Sequence, residues 1–572
     1  MSRAQVFGIR LALHNNRQDI VFLPLLVLGF FVLAHATRQM SVPFTLGEAL
    51  PISTRPSALV DDALYTTLRM LAAVAASLIF TIFYGLLAAK NRYAGKILIP
   101  LLDILQSVPI LGYLSITVTG FIALFPGSLI GVQLAVVFAV FTSQVWNMTF
   151  AFYQALITLP KDLDEAARLY RLNAWQRFFR LELPFAVPPL LWNTMMSMSG
   201  GWFFVVAAEA ITVAGHEVMV PGIGSYIAMA IAQKNLAAVF WAILAMLLVI
   251  GLYDFLLFRP VVAWADKFKL ETGADLQRPR SWVLDFLRRS RLAQAVAMVP
   301  AELWEFSLRI LPPGRPHWVG EEKRRPWADV LFLLLVGGVL VYGFWQLYAT
   351  LARSFDLTTL VHVLFLGLVT GLRVMVLVAL SLLIWVPVGI LVGLRPGLSG
   401  RIQAAIQFLA AFPANLLFPM VVLAILHWHL NVNIWVSPLM ILGSQWYVLF
   451  NVIGAAAALP ADLKEAARNL GLRGWLLWKR LLLPGTFPGT VTGGITASGG
   501  AWNASIVAEV VSWGNHTLVA TGLGAYITLA TAAGNLNAVA LGIGVMSFYV
   551  VVVNRLFWRR LYDLAARRLR LD

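Results

Sequence analysis

Long apolar runs, each followed by a shorter polar and mostly basic stretch, make up most of this chain. In its first half the runs are Ile20 to Ala36, Met70 to Ala89, Ile97 to Leu124, Leu129 to Ile157, Pro184 to Val213 and Leu236 to Phe258. A further run, Val330 to Leu351, opens the second half. These lengths suit the ~20 residues that a helix needs to cross ~30 Å of hydrocarbon. A membrane β-barrel would show short segments of alternating hydrophobicity instead. The pattern predicts an all-α polytopic membrane protein.

The chain then repeats itself. Shifted by 300 positions, Leu159-Pro160 falls on Leu459-Pro460, Glu165-Ala166-Ala167-Arg168 on Glu465-Ala466-Ala467-Arg468, and Leu183-Pro184 on Leu483-Pro484. Trp146 pairs with Trp446, Trp202 with Trp502, Glu209 with Glu509, His216 with His516, and Gly222 and Gly224 with Gly522 and Gly524. Nearer the start of each half the shift is 304, placing Arg69 on Arg373, Gly85 on Gly389 and Pro109 on Pro413. A loop of changed length between Pro109 and Trp146, with the helices unaltered, is the expected cause. Six runs per half predict about 12 transmembrane helices, as two parallel six-helix repeats about an axis along the membrane normal. The chain divides into a first transmembrane unit at 1–258, a linker at 259–327 and a second transmembrane unit at 328–572. Under this count the basic segments fall on one side, which the positive-inside rule makes cytoplasmic, together with both termini.

Composition agrees with the pattern. Of 572 residues 60% are hydrophobic and 12% charged, where a soluble domain has roughly 45–50% and 25%. The net charge of +16 sits in the segments between runs, so it speaks for membrane topology and not for nucleic acid. With no cysteine, thiol catalysis, disulfides and thiolate metal sites are excluded. The first run follows Arg3, Arg10 and Arg17 without a small-residue cleavage site and reads as a retained helix. In the linker, Ser281 to Ile310 mixes Arg288, Arg289 and Arg291 with Trp282, Phe286, Leu292 and Trp304. Both a helix lying among lipid headgroups and a plain tether fit that mixture.

The polar stretch between the fourth and fifth runs carries the candidate function. It is closed by proline at each end, and in its middle carboxylates lead and arginines follow, as the helix dipole favours. One copy could be a simple interfacial helix; two at matching positions point to a docking element. Glu465-Ala466-Ala467, then Gly471, then Leu481-Leu482-Leu483-Pro484 resembles the signature of binding-protein-dependent ABC importer permeases. The resemblance covers nearly the whole chain apart from the linker and the ends. It implies a permease of the bacterial cytoplasmic (inner) membrane, forming the pathway for a solute delivered by an extracytoplasmic substrate-binding protein. It also implies that Lys161 to Arg180 and Ala461 to Arg480 are coupling helices seated in two separate ABC ATPase subunits. The ATPase-coupling residues carried over are Glu165, Ala166, Ala167, Arg168 and Arg171, and Glu465, Ala466, Ala467, Arg468 and Gly471. The segments from Trp202 to Gly224 and from Trp502 to Gly524 are similar to the nitrate, sulfonate and bicarbonate branch, which implies a small anion. No phosphate loop of the Gly-x-x-x-x-Gly-Lys-[Ser/Thr] kind is present, since Gly95-Lys96 is followed by Ile97. ATP and Mg therefore belong to partner subunits, and the chain itself is expected to have no catalytic residue, cofactor or metal.

At the glycine of the signature the copies differ, with Arg171 standing against Gly471. Glycine enters left-handed backbone freely whereas other residues pay ~1–2 kcal/mol, so the two coupling helices are expected to end differently.

Charges in or near the runs need a reason, because insertion of one costs at least ~2.5–3.5 kcal/mol. Arg69 with Glu209 and Arg373 with Glu509 fit an ion pair within each unit, near the extracytoplasmic side; an anion-attracting role for the arginines is the alternative. Gln144, Gln445, Trp202, Trp502, Asn193 and Asn503 are candidates for lining the pathway or for pairing helices. His216 and His516 lack metal-ligand spacing. The rival to an ATP-driven importer is an ion-coupled secondary transporter with two parallel six-helix halves, which the duplicated loops and the lack of paired mid-membrane carboxylates oppose. A membrane enzyme would need a reactive cluster of His, Cys or carboxylates that is missing.

Overall fold

The structure, a computed structural model, describes residues 17–40, 42–44, 50–213, 216–268, 281–310 and 356–568, with single positions between 327 and 349. It is an all-α polytopic membrane protein with two short hairpins among the described residues. The first half runs α1 (Arg17–Met40), α2 (Leu59–Lys90), α3 (Arg92–Ser107), α4 (Ile110–Leu124), α5 (Ile130–Ile157), α6 (Lys161–Leu169), α7 (Ala174–Arg177) and α8 (Leu183–Glu209). It closes with β1 (Ala210–Val213), β2 (His216–Met219), α9 (Ile223–Ala232), α10 (Leu236–Tyr253) and α11 (Arg259–Ala265). The linker holds α12 (Trp282–Arg289) and α13 (Arg291–Ile310). The second half begins α14 (Leu357–Gly393), α15 (Pro396–Ala411), α16 (Phe418–His427), α17 (Val432–Trp435), α18 (Ser437–Ile441) and α19 (Gln445–Ala457). It continues α20 (Ala461–Asn469), α21 (Gly474–Leu477), α22 (Leu483–Ala508), β3 (Val510–Trp513), β4 (His516–Val519), α23 (Leu523–Ala532), α24 (Leu536–Val553) and α25 (Arg559–Arg568).

Among the described residues five helical stretches are long and apolar enough to cross a membrane, or up to seven if two bent pairs each count as one span. The run Val330 to Leu351 and the prolines at 312, 313, 316 and 326 lie largely or wholly outside the described residues. Helices α8 and α22 carry many small and hydroxyl residues, of which Ser197, Ser199, Ser498 and Ser505 are buried. Such residues let neighbouring membrane helices approach closely.

Three expectations need correction. The run Ile97 to Leu124 is not one helix: it breaks at Val108-Pro109 into α3 and α4, and its counterpart breaks at Pro413 with a bend of 75° between the flanking helices. Proline has no backbone N–H and its ring clashes with the preceding turn, so both copies stop there. The helices near the length change also differ. Where α5 is a continuous helix of 28 residues, the second copy divides into α17, α18 and α19, bent by 41°. Finally, the fifth run does not remain helical to Val213. It ends at Glu209, and the β-branched Ile211, Thr212 and Val213 pair with the strand His216–Met219.

By contacts the chain forms two compact units, one of Met1–Ser41, Ala155–Leu191 and Leu252–Glu321, the other of Val42–Gln154, Trp192–Gly251 and Glu322–Asp572. In the second unit the repeated glycines mark helix crossings. A Cβ on Gly85 would stand 2.6 Å from Phe152 Cδ1, and one on Gly389 would stand 2.8 Å from Val452 Cγ1. Phe152 and Val452 are themselves a repeat pair, so one crossing was built twice around different side chains. Overpacking such a contact costs ~1–3 kcal/mol. Gly389→Leu should therefore lower the thermal unfolding temperature of the solubilised protein, whereas Gly454→Leu, where no atom lies within 4 Å of the added Cβ, should leave it unchanged. Melting curves of the two variants side by side check this.

Candidate functional site

The two Glu-Ala-Ala segments fold alike. Each begins after a proline, Pro160 or Pro460, as a nine-residue helix, α6 or α20. Ala167 and Ala467 face inward and are buried, while Glu165 and Glu465 are exposed. Leu169, Tyr170 and Leu470 at the helix tips are 85%, 81% and 77% exposed, which leaves apolar side chains facing outward beside charged ones.

The helix ends overturn the expected asymmetry. Arg171 has φ 50° and Gly471 has φ 67°, both left-handed. The closing bonds match: Leu172 N donates to Ala167 O at 3.1 Å and Leu472 N to Ala467 O at 2.9 Å. Arg171 N and Gly471 N donate to Arg168 O and Arg468 O at 3.0 Å each. This is the Schellman closure, and satisfying the terminal carbonyls outweighs the ~1–2 kcal/mol that arginine pays for the conformation. The copies do differ two residues on. Asn173 caps α7 by accepting from Gln176 N at 2.7 Å, and Gln176 Oε1 accepts from Asn173 N at 3.2 Å. In the second copy Arg473 makes no side-chain cap, and Gly474 takes φ 52°. An ion network, Asp164 with Arg168 (2.6 Å) and with Arg177 (2.7 Å), and Arg177 with Glu182 (2.8 Å), ties α6 to α7 in the first copy. The second carries Lys464, Leu477 and Leu482 at the corresponding places, so it has no such network.

Both arginine–glutamate pairs form. Arg69 Nη1 lies 2.5 Å from Glu209 Oε1 with both side chains fully buried, and its other nitrogens donate to Gln133 Oε1 (2.6 Å) and Pro221 O (2.8 Å). Thr66 Oγ1 donates to the same carboxylate at 2.8 Å, and Gly224 N donates to its other oxygen at 2.7 Å. The second clasp matches: Arg373 Nη1 at 3.1 Å from Glu509 Oε1, Thr370 Oγ1 at 2.8 Å, Ala525 N at 3.0 Å, and Arg373 Nη2 to Asn433 Oδ1 at 3.2 Å. Gly222 and Gly522 leave the room, since a Cβ on either would run into the glutamate carboxylate. Thr66, Thr370, Gln133 and Asn433 were missed as site residues, although they recur in the same 304 and 300 registers that relate the arginines and glutamates.

A chamber of about 540 Å³ lies among α3, α5, α8, α19, α22 and the end of α24. Its described lining includes Trp146, Trp192, Trp502 and Trp558 with Asn147, Asn193, Asn451 and Asn503, and among the described residues no formally charged side chain. Thr142, Ser143, Thr492 and Thr496 spend their hydroxyl protons on backbone carbonyls of their own helices, which leaves them as acceptors. Of the predicted pathway residues, Trp502, Asn193 and Asn503 are on this wall. Asn503 also ties the halves together by accepting from Ile110 N at 2.8 Å. Gln144, Trp202 and Gln445 are elsewhere: Gln144 is buried against Met70, Trp202 is buried in the core, and Gln445 accepts from Trp385 Nε1 at 3.0 Å.

Residues 81–259 and 385–571, more than half of the chain, match the family described as the binding-protein-dependent transport system inner membrane component. Among curated relatives, the bicarbonate transport system permease protein of Synechococcus elongatus is 26% identical over 192 residues, covering 34% of this chain and 63% of the relative. The glycine betaine/proline betaine transport system permease protein of Escherichia coli is 28% identical over 166 residues, 29% of this chain and 44% of the relative. The nitrate import permease protein of Leptolyngbya laminosa is 27% identical over 128 residues, 22% of this chain and 43% of the relative. The chain thus spans less than two thirds of the length of each of these relatives.

Stripping one member from a buried charge pair strands the other, at a cost of ~3–5 kcal/mol. Arg69→Met or Glu209→Gln should therefore destabilise the solubilised protein more than the double substitution does. Arg373→Met should be milder than Arg69→Met, because Arg373 is 14% exposed and its contact is longer. A thermal-shift double-mutant cycle measures both differences.

Proposed function

The chain belongs to the family of binding-protein-dependent transport system inner membrane components, and from that premise we propose that it is the complete pore of an ATP-driven importer, with two six-helix repeats fused into one polypeptide. Its two Glu-Ala-Ala segments seat in two ATPase subunits, an extracytoplasmic binding protein delivers the solute, and both termini lie in the cytoplasm. The observation that carries this reading is the same exposed helix with the same Schellman end at two places 300 residues apart. Glu165, Ala166, Arg168 and Arg171, with Glu465, Ala466, Arg468 and Gly471, form the docking surface, and the buried Ala167 and Ala467 hold each helix to its own body.

The solute passes through the chamber, whose described lining is uncharged. The arginine of the first clasp takes no part in holding it, because each of its terminal nitrogens and its Nε already has a protein acceptor. A neutral wall suits passage: binding must be firm enough to admit a solute and weak enough to release it. A small anion is the reading supported by the bicarbonate and nitrate relatives. The four tryptophans on the wall and the betaine relative support a second reading, a solute with a quaternary ammonium group, since indole faces attract such cations.

The purified chain should hydrolyse no ATP by itself and should co-purify with two ATPase subunits per copy when these are co-expressed; ATPase activity in this chain alone, or ion-gradient-driven uptake without ATP, would return the secondary transporter to first place. Glu465→Lys should leave the chain in the membrane at normal abundance while reducing ATP-driven uptake at least tenfold. Competition of uptake by nitrate, bicarbonate and glycine betaine then separates the two solute readings.

A further inference from the structure

The linker does more than join the halves. Helix α13 is 20 residues long, about 30 Å at ~1.5 Å per residue. At its start, Asp19 of α1 accepts from Ser290 Oγ at 2.7 Å and from Leu292 N at 3.2 Å. Ser290 Oγ in turn accepts from Ala293 N at 3.1 Å, so a carboxylate and a hydroxyl together cap the helix where its dipole favours negative charge. At its far end the helix meets the first coupling segment. The ring of Trp304 stands edge-on to Phe179 with centroids 3.8 Å apart, and 6.1 Å from Trp175. Trp175 Nε1 donates to Ser307 Oγ at 3.3 Å, and Gln176 Nε2 donates to Leu308 O at 2.9 Å, one of the terminal carbonyls that a helix leaves without an internal donor.

The second segment lacks the residues for such a contact. Where the first has Gln176 and Phe179, it has Leu476 and Lys479, and its Trp475 is 72% exposed against 42% for Trp175. The copies thus diverge at two of the three positions that α13 touches, Gln176 and Phe179, while the helix closure before them is the same.

We infer that α13 is a strut, fixed at one end to α1 through Asp19 and at the other to the first coupling segment through Trp304, and that it holds this segment in place during the transport cycle while the second segment relies on its own fold. Trp304, Gln176 and Phe179 are positioning residues. The inference rests on reading Lys161 to Arg180 as a coupling segment.

The test uses the whole transporter, with its ATPase and binding-protein partners, in proteoliposomes, and reads solute moved per ATP hydrolysed. A merely structural role would change the amount of folded complex and leave that ratio alone. Trp304→Ala should lower the ratio about fivefold, which at RT of about 0.59 kcal/mol corresponds to the ~1 kcal/mol of one aromatic pair. Trp304→Phe should restore most of it. Phe179→Lys and Gln176→Leu install the residues that the second segment already uses, so they keep the test open if Trp304→Ala does not fold; each should lower the ratio, and Trp475→Ala should not. An unchanged ratio in Trp304→Ala or in Phe179→Lys, with Glu165→Lys uncoupled in the same assay, overturns the strut and leaves the coupling reading intact. An unchanged ratio in Glu165→Lys overturns the coupling reading and the strut with it.

Discussion

A carboxylate and a guanidinium buried together in a membrane protein set the terms for much of this fold. Taking Glu209 and Arg69 out of water costs several kcal/mol per ion, which their attraction offsets only if the remaining donors and acceptors are also satisfied. That condition recruits Thr66 from the same helix as Arg69, Gln133 from α5, and the backbone N–H of Gly224 at the start of α9. It also explains why α8 ends where it does: Val220 N donates to the Glu209 carbonyl at 3.0 Å, folding the chain back as a hairpin that delivers Gly222 against the carboxylate. The φ of Gly222 is 166°, which is extended backbone open to any residue, so glycine is needed there for space and not for conformation. The same construction around Glu509 shows that the clasp, more than any single helix, is what the two halves share.

The buried arginines and glutamates are paired at the clasps, and the described lining of the chamber carries no charge. Its polarity comes from amides and hydroxyls, of which Asn503, Asn451 and Thr492 each donate to a backbone carbonyl of their own helix. The indole nitrogens of Trp502 and Trp558 have no hydrogen-bond partner among the described residues. On the reading proposed above, a wall of aromatic faces and lone pairs discriminates by shape and dipole and does not hold a charged solute too firmly.

Duplication has not produced two equal halves. A continuous α5 has a counterpart broken into three, the first Glu-Ala-Ala segment carries an ion network and a capping box that the second lacks, and α13 rests on the first segment. Each difference lies beside a shared element that did not change. The clasp and the Schellman closure tolerate little, because each satisfies buried or terminal polar groups, while surfaces around them were free to diverge.

Much was legible in the amino-acid order alone. Periodic apolar runs, basic segments and the 300-residue register determined an all-helical membrane protein, its internal repeat, the Glu-Ala-Ala segments, and the pairing of Arg69 with Glu209 and Arg373 with Glu509. These follow from lipid acting as solvent, which any stretch of chain feels locally, and from charges that must find partners. What sequence could not decide were outcomes of competition between local preference and packing. Arginine at 171 disfavours left-handed backbone, yet the closure of α6 required it. Residues 210 to 213 are apolar enough to extend a span, yet the hairpin that completes the clasp claimed them. Gln144, Trp202 and Gln445 looked as suited to a pathway as Trp502, Asn193 and Asn503 did. Which of them faces the chamber depends on helix rotation and crossing, set by contacts such as Gly85 on Phe152 that join residues far apart in the chain. The meeting of Trp304 with Phe179 is of the same kind: only the folded chain brings the linker to the first Glu-Ala-Ala segment, because the aromatic edge and face that attract one another are 125 residues apart in sequence.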